Sequence, residues 1–303
     1  MPNPASPADT VDPIEPATPS SGALAPAPAH PPAPVLADYD VLGAETIERF
    51  ADDPDFVTAL ARGLAVLLEL SDKKRRMSIA QVSHRTGIPR AAVRRSLHTL
   101  VNLGFVSVDD ARRFYLRPRV LSFSHAYLSA SPLAVAAQPI LDRLGENLRE
   151  ACSLAILDGD EITYLARSAS SRIMSPSLNV GRRLPAFCTS IGQVLLAQLP
   201  AAELDAYIAR TRFLPFTEFT VTSPARFREV LQRVHDNGYS YTSQQIEMRL
   251  CTMAVPVRDR EGHYVAGINV ILQGRVVAEP DMAELFFRPL REAALELGSL
   301  LLA

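Results

Sequence analysis

The stretch SIAQVSHRTGIPRAAVRRSLHTLVNLGF, residues 78–105, decides the fold of the first half of this chain. Ser78 is a favourable N-cap for a first helix, and Gly87 suits the end of that helix because glycine readily adopts the left-handed conformation. Pro89 fits the first turn of a second helix, which should end near Leu103. Between them the two helices can bury a small core made of Ile79, Val82, Ile88, Val93 and Leu97.

The segments on either side of this stretch complete the pattern. In residues 55–70, apolar side chains recur every three or four positions, which predicts an amphipathic helix. These side chains are Phe56, Leu60, Leu64, Leu67 and Leu68. Residues 105–119 alternate apolar and polar side chains on both sides of Asp109 and Asp110, which predicts a β-hairpin. A helix-turn-helix followed by a hairpin is typical of a winged helix-turn-helix domain.

Positive charge is concentrated in this domain. Residues 53–120 contain thirteen Lys and Arg residues against six Asp and Glu residues, although the whole chain has a net charge of −2. When Val93 and Leu97 face the core, the polar side of the second helix faces outward, and an α-helix fits the major groove of DNA. The candidate contacts with double-stranded DNA are Arg90, Arg94, Arg95, His98 and Thr99, together with Arg112 and Arg113 on the hairpin.

A merely solvated surface is the alternative explanation for these charges. Asp72 is the sole acidic residue between Ser71 and Leu103, and a basic face with so few acids favours a polyanionic partner. The basic residues Lys73–Arg76 would then suit contacts with phosphates. No second ligand lies near His98 in the sequence, so we expect His98 to be a polar contact and not a metal ligand.

The composition argues against several other classes of protein. Cys152, Cys188 and Cys251 are far apart and form no CxxC or Cys/His cluster, so neither a zinc site nor a disulfide framework is predicted. No apolar run reaches the roughly 18–20 residues that span a bilayer. No lysine or arginine precedes Arg49, so the chain does not begin like a secretory signal. We therefore expect a cytoplasmic protein without metal, cofactor or membrane partner.

The first 52 residues differ in composition from the rest. Residues 1–34 contain eleven prolines and few large apolar side chains, a composition that predicts disorder. Residues 35–52 are acidic and predict a linker or a short helix. The predicted organisation is a tail and linker at 1–52, a winged helix-turn-helix at 53–118, a linker helix at 119–131 and a second domain at 132–303.

Helices and hairpins follow one another in the second half of the chain. Two helices with a break near Ser131 and Pro132 are predicted first. Hairpins are then predicted over residues 151–168 and 250–273, and further helices begin near Ser190, precede Gly238 and close the chain. This mixture indicates an α+β domain with a largely antiparallel sheet.

From about Phe56 to its end, the chain resembles the IclR family of bacterial transcription regulators. The resemblance is carried by the winged helix-turn-helix and by VGRRLPAFCTSIGQVLLA and MAVPVRDREGHYVAGINV, which follow in the family's order and spacing. The stretch SSRIMSPSLNVGRRLPAFCTSIGQVLLAQLP is most similar to the branch that regulates aromatic-acid catabolism, the PcaR, PcaU and PobR group. The resemblance implies a GAF-like C-terminal domain that binds a small carboxylate, such as an aromatic acid or an intermediate of the β-ketoadipate pathway.

The resemblance also implies the positions of the effector site. Carried over residue by residue, they are Gly181, Arg182, Ala186, Thr189, Ser190, Leu250, Thr252, Asn269 and Ile271. Free N–H groups at a helix start favour an anion, and alternate residues of a strand share one face of a sheet. Arg172, Arg182 and Arg183 are available to bind a carboxylate. Residues 242–245, Thr-Ser-Gln-Gln, stand where many members carry an acidic run, so the identity of the effector stays open.

Two other functions compete with an effector-responsive regulator. The first is an enzyme that acts on a small aromatic acid and carries an accessory DNA-binding domain. The chain has no nucleophile elbow, Gly-rich phosphate loop or metal-ligand spacing, so we predict that it is not an enzyme. The second is an interaction scaffold, which would show no salt-sensitive binding to a promoter. A regulator with one helix-turn-helix per chain is expected to act as a homodimer or homotetramer.

Overall fold

A computed structural model describes residues 42–71, 76–168 and 179–301 of the chain. The predicted disorder of residues 1–34 lies outside the described residues. So do Lys73, Lys74 and Arg75 of the basic loop and the candidate carboxylate ligand Arg172.

The N-terminal domain is a winged helix-turn-helix, as the sequence predicts. Its helices are α1 (Ala44–Glu48), α2 (Thr58–Glu69), α3 (Ile79–Thr86) and α4 (Arg90–Asn102). The wing is an antiparallel hairpin of β1 (Val106–Val108) and β2 (Phe114–Leu116). Val82, Ile88, Val93 and Leu97 are buried in the core and Ile79 packs at its edge.

Local chemistry explains the turn between α3 and α4. Ser78 Oγ accepts a hydrogen bond from the Gln81 N–H at 3.3 Å, and Gln81 Oε1 accepts one from the Ser78 N–H at 2.9 Å, which forms a capping box. Gly87 ends α3 with a φ of 70°, and a Cβ at this position would lie 3.2 Å from the Cβ of Ala44. The positive φ therefore favours glycine here, and a side chain at this position would also press against Ala44.

The domain begins before the predicted boundary at residue 53. Leu42, Ala44 and Ile47 pack into the same core as Val93, so α1 belongs to this domain and not to a linker. The alternative of a short helix within residues 35–52 agrees with α1, but the boundary at residue 53 leaves out this helix, which is anchored by Ile47, with 5% of its surface exposed, and by the partly buried Leu42 and Ala44.

A helical connection leads to the second domain. A 3₁₀ turn at Pro118–Val120 precedes α5 (Leu121–Ala130), and α6 (Pro132–Leu148) follows after Ser131, whose Oγ accepts a hydrogen bond from the Ala134 N–H. The helices meet at 84°. In the described part of the chain, no single helix has the length and apolar character to cross a membrane, although α5 and α6 taken together would have both.

The C-terminal domain is built on one six-stranded antiparallel sheet. In spatial order its strands are β5 (Arg183–Pro185), β4 (Glu161–Arg167), β3 (Ala151–Asp158), β8 (Tyr264–Gln273), β7 (Leu250–Arg258) and β6 (Ser240–Ser243). The two long hairpins, β3–β4 and β7–β8, are those that the sequence predicts. The α+β class is thereby confirmed.

Helices cover both faces of this sheet. On one face lie α6 and α11 (Arg288–Leu300), and on the other lie α7 (Ser190–Leu196), α8 (Ala201–Arg210) and α9 (Pro224–Asn237). Two glycines allow α7 to pack very close to the segment before it and to β8. A Cβ at Gly192 would lie 2.1 Å from the Ala186 carbonyl oxygen, and a Cβ at Gly267 would lie 2.8 Å from the Ile191 side chain. The start of α7 is therefore pressed against the sheet.

Some elements of this domain differ from the sequence prediction. Residues 183–185, which lie outside the predicted hairpins, pair with β4 as the edge strand β5. The closing helix is interrupted, because α10 (Glu279–Met282) passes through a π-helical turn at Ala283–Phe287 before α11 begins. Pro289 near this junction has no N–H to donate to the helical ladder, which accounts for the irregularity.

Candidate functional site

The outward face of α4 carries the candidate DNA contacts. All of them are exposed, while Val93 and Leu97 hold the opposite face in the core. The exposed contacts are Arg90, Arg94, Arg95, His98 and Thr99. Among the described residues, no carboxylate pairs with any of these three arginines. Their positive charge is thus presented to solvent without internal compensation.

Hydrogen bonds between residues four positions apart order the end of this face. The Thr99 hydroxyl donates to the Arg95 carbonyl at 3.1 Å. The Asn102 amide donates to the His98 carbonyl at 2.8 Å and contacts His98 Nε2 at 3.1 Å. These contacts orient the His98 ring and leave the Thr99 oxygen able to accept a further hydrogen bond.

The wing presents two more exposed arginines, Arg112 and Arg113. Asp109 organises its turn, because Asp109 Oδ1 accepts a hydrogen bond from the Arg113 N–H at 2.8 Å. That bond and the nearby Arg76 guanidinium hold the pKa of Asp109 below its usual value. Arg76 itself bonds Asp109 Oδ2 at 3.0 Å and lies 4.6 Å from the centre of the Tyr115 ring. Its expected role as a phosphate contact stays a prediction, since 55% of the Arg76 side chain is exposed.

A second candidate site is a cavity in the C-terminal domain, between the sheet and the start of α7. Its empty space is about 320 Å³, counting the part that opens to solvent. The lining residues come from β4 to β8, from the start of α7 and from the segment that joins β6 to β7. They are Tyr164, Leu184, Cys188, Thr189, Ser190, Thr242, Gln245, Ile246, Leu250, Thr252 and Asn269.

Three buried hydroxyl groups form a chain along one wall. Thr242 Oγ1 lies 2.8 Å from Thr252 Oγ1, which donates to Ser190 Oγ at 2.7 Å. Because Thr252 uses its proton on Ser190, it accepts the proton of Thr242. The Ser190 hydroxyl is then left with a proton of its own to donate. Thr189 is committed to capping α7, since its Oγ1 accepts from the Gly192 N–H at 3.2 Å.

The cavity contains no charged side chain among its described lining residues. Arg183 forms ion pairs with Asp158 at 2.5 Å and with Glu161 at 2.7 Å, so it is not available to a ligand as expected. Burial raises the pKa of Tyr164 to about 12, and a hydrogen bond from Asn269 opposes that shift. Tyr164 therefore stays protonated and neutral near pH 7. Burial likewise raises the pKa of the Cys188 thiol, which leaves it unreactive.

The nine positions implied by the resemblance divide into two groups. Five of them line the cavity: Thr189, Ser190, Leu250, Thr252 and Asn269. The other four do not. Ala186 lies buried beneath Gly192, and Ile271 is buried opposite Thr252. Gly181 and Arg182 are exposed, and their backbone bonds Tyr164 at 2.8 and 3.0 Å. Gly181 and Arg182 thus support the wall of the cavity and do not face into it.

Six lining residues are not among the nine carried-over positions: Tyr164, Leu184, Cys188, Thr242, Gln245 and Ile246. Of these, Leu184 lies in the predicted pocket loop between Gly181 and Ala186, and Thr242 and Gln245 lie in the stretch 242–245 on which the identity of the effector was expected to depend. For Cys188, the available signal was its position next to Thr189 in the sequence. The strand alternation of residues 161–167 could have pointed to Tyr164. Gln245 gave no periodic signal, because it lies in an irregular segment. Among the described residues, no group of His, Cys, Asp or Glu side chains is arranged to hold a metal ion.

The fold and the two sites define a DNA-binding regulator with a separate ligand-binding domain. The IclR helix-turn-helix domain matches residues 59–110, and the C-terminal domain of the bacterial transcriptional regulator IclR matches residues 125–298. The chain therefore belongs to the IclR family of transcriptional regulators.

Individual relatives agree with this assignment. The chain is 43% identical to the Pca regulon regulatory protein of Pseudomonas putida, over 90% of this chain and 94% of that protein. A solved structure from Rhodococcus sp. RHA1 is similar at a TM-score of 0.69 and 38% identity, covering 80% of this chain and 97% of the other. The inducer-binding domain of a double mutant of PobR from Acinetobacter, solved with 3-hydroxybenzoic acid, matches at a TM-score of 0.52 and 29% identity, over 55% of this chain and 97% of that domain.

Proposed function

We propose that this regulator binds a small aromatic carboxylate in the cavity beside α7, and that the ligand sets how strongly α4 and the wing occupy an operator. The observation that carries the proposal is the cavity itself, a small buried space lined by hydroxyl and amide groups. The PobR domain that was solved with 3-hydroxybenzoic acid is 29% identical to this chain, which supports the same class of ligand here.

Within the cavity, the hydroxyl chain supplies the expected contact for the carboxylate. The Ser190 hydroxyl accepts from Thr252 at 2.7 Å and keeps its own proton for an acceptor in the cavity. A hydrogen bond to an ionised acceptor is stronger than one between neutral groups. We therefore expect Ser190 to donate to the carboxylate, with Leu184 and Leu250 against the ring.

On the DNA side, α4 is the element that enters the major groove. Arg90, Arg94 and Arg95 would contact guanine edges and phosphates there, and His98 and Thr99 would contact base edges. Arg112 and Arg113 in the wing would reach the backbone or the minor groove. The uncompensated charge of this face supports the assignment.

We infer that the active form is at least a homodimer that pairs through α2. Leu60, Leu64 and Leu68 form an apolar stripe on the outside of this helix, with exposed fractions of 61%, 48% and 55%. A stripe of this kind is typical of a surface covered by a partner. Sedimentation velocity should show that Leu64→Glu lowers the assembly state. The matched change Leu295→Glu, at an exposed leucine of α11, should leave it unchanged; the opposite pattern would contradict pairing through α2.

Because its target is chromosomal DNA, we expect the protein to act in the cytoplasm and to work by binding, without turnover of its ligand. Incubation with aromatic acids should return them unchanged in a chromatographic assay. Formation of a product would favour the competing hypothesis of an enzyme with an accessory DNA-binding domain.

The deciding experiment is a titration of the full chain against a fluorescent operator duplex, with and without benzoate and hydroxybenzoates. We expect a ring acid to change the apparent operator Kd, and we expect Ser190→Ala to blunt that change while leaving ligand-free DNA binding as it was. If no ring acid changes the operator Kd or binds in calorimetry, the proposed effector class is wrong.

A further inference from the structure

Two amide oxygens in the cavity are buried without a hydrogen-bond donor. They are Gln245 Oε1 and Asn269 Oδ1, on side chains of which 9% and 2% of the residue surface is exposed. Nearly all buried polar groups in folded proteins are hydrogen-bonded, so a buried oxygen without a donor calls for an explanation. Two such oxygens on the wall of one cavity point to donors that arrive with a ligand.

Gln245 is held in place by its own backbone. It lies in the segment 244–249 that joins β6 to β7, where the Gln244 N–H donates to the Leu250 carbonyl at 2.7 Å. The Gln245 carbonyl accepts from Thr220 Oγ1 at 2.6 Å. Both bonds fix the main chain at Gln245, so the fold sets the point from which its side chain reaches the cavity wall.

Asn269 is held from the opposite side. It lies on β8, between Ser153 of β3 and Ala254 of β7 in the register of the sheet. Its Oδ1 is buried and has no hydrogen-bond donor among the described residues, so this oxygen is the atom left for a ligand.

We propose that Gln245 and Asn269 accept hydrogen bonds from hydroxyl groups on the ring of the effector, and so select hydroxylated aromatic acids over ring acids that lack a donor. The inference rests on the proposed function and adds the residues that set its specificity. Ser190 would donate to the carboxylate, and the two amide oxygens would accept from the ring substituents. A ligand without a hydroxyl would leave both oxygens buried and unpaired, which weakens its binding.

The test is isothermal titration calorimetry of the full chain with four ligands: benzoate, 3-hydroxybenzoate, 4-hydroxybenzoate and 4-methoxybenzoate. We expect at least one hydroxybenzoate to bind roughly 10- to 100-fold more tightly than benzoate, which is the range expected when a buried acceptor gains its donor. The methoxy compound carries an oxygen without a proton. It should therefore not show the tighter binding that is expected of a hydroxybenzoate.

Two variants assign the preference to the residues. Gln245→Met and Asn269→Leu should each raise the affinity for benzoate, because an unpaired buried oxygen is removed, and lower the affinity for a hydroxybenzoate. The ratio of the two Kd values should fall toward one in at least one variant. Gln244→Met is the matched control. Gln244 Oε1 already accepts from the Arg249 N–H at 3.0 Å, so loosening this segment should change the affinity for all four ligands by a similar factor.

The outcomes distinguish a failure of the proposed hydroxyl selection from a failure of the proposed effector class. If the wild-type chain binds the ring acids but neither Gln245→Met nor Asn269→Leu changes the ratio, the selection of hydroxyl groups is refuted and the effector class survives. A preference for 4-methoxybenzoate over 4-hydroxybenzoate would refute it as well. If the wild-type chain binds none of the four, the proposed effector class fails and this inference fails with it.

Discussion

Helices α2 and α4 belong to one small domain, yet they use their apolar residues in opposite ways. α4 buries Val93 and Leu97 completely and turns its arginines outward. α2 buries Ala65 and Val66, together with the charged Glu69, and turns Leu60, Leu64 and Leu68 outward. Both helices have an apolar stripe in the sequence, but only in α4 does that stripe form the core.

The cause of the difference lies in what each helix packs against. Glu69 is acceptable on the inner face of α2 because Arg85 of α3 forms an ion pair with it. Ala61, Ala65 and Leu67 lie on the inner side of α2, whereas Leu60, Leu64 and Leu68 lie on its outer side. The lesson is that an outward apolar stripe and an outward basic face mark two kinds of partner, a protein chain and a polyanion.

The largest effect that tests this comparison is on stability. Leu97→Ala should lower the free energy of unfolding by about 2–5 kcal/mol, because it leaves a cavity in a core that is fully buried. Urea unfolding followed by circular dichroism, at fixed protein concentration, measures the change in the transition of the N-terminal domain. Leu64→Ala on the outer face of α2 is the control and should cost far less. A larger loss for Leu64→Ala than for Leu97→Ala would reverse our assignment of the two faces.

The next effect concerns the basic face of α4. Arg95→Ala should weaken operator binding by about 1–3 kcal/mol, the range for loss of one good base contact, and leave the unfolding transition unchanged. Fluorescence anisotropy with an operator duplex measures it. Arg233→Ala removes an exposed arginine of α9 and provides the matched control. Equal operator affinity for wild type and Arg95→Ala would exclude Arg95 from the interface.

The smallest effect is expected in the wing. Arg113→Ala should weaken binding to specific and random duplexes alike, and should reduce the slope of log K against log salt by about 1, because one phosphate contact releases its counterion. A series of anisotropy titrations at increasing salt provides the slope. Loss of discrimination between the two duplexes, with an unchanged slope, would instead indicate that Arg113 reads bases.

The helix-turn-helix could be predicted from the sequence, but much of the effector site could not. Thr189 and Thr252 could be predicted because Thr189 lies in a recognisable motif and Thr252 lies in a regular strand. Tyr164 and Gln245 could not, because they reach the cavity from β4 and from the irregular segment between β6 and β7. Arg183 shows the opposite case, a residue that was expected to bind the carboxylate but does not line the cavity. Arg183 has the right chemistry, but the register of β4 and β5 sets it beside Glu161 and out of the cavity.

By itself, the sequence determined the elements that depend on neighbouring residues. The helix-turn-helix with its capping residue Ser78 and its glycine at position 87, the two long hairpins and the basic face of α4 follow from local hydrogen bonding and short-range periodicity. Only the tertiary structure decided which face of α2 is buried, that Ile47 belongs to the first domain, and that Gln245 meets Asn269 in one cavity. Those outcomes depend on contacts between segments far apart in the chain, and periodicity along a single segment carries no information about them.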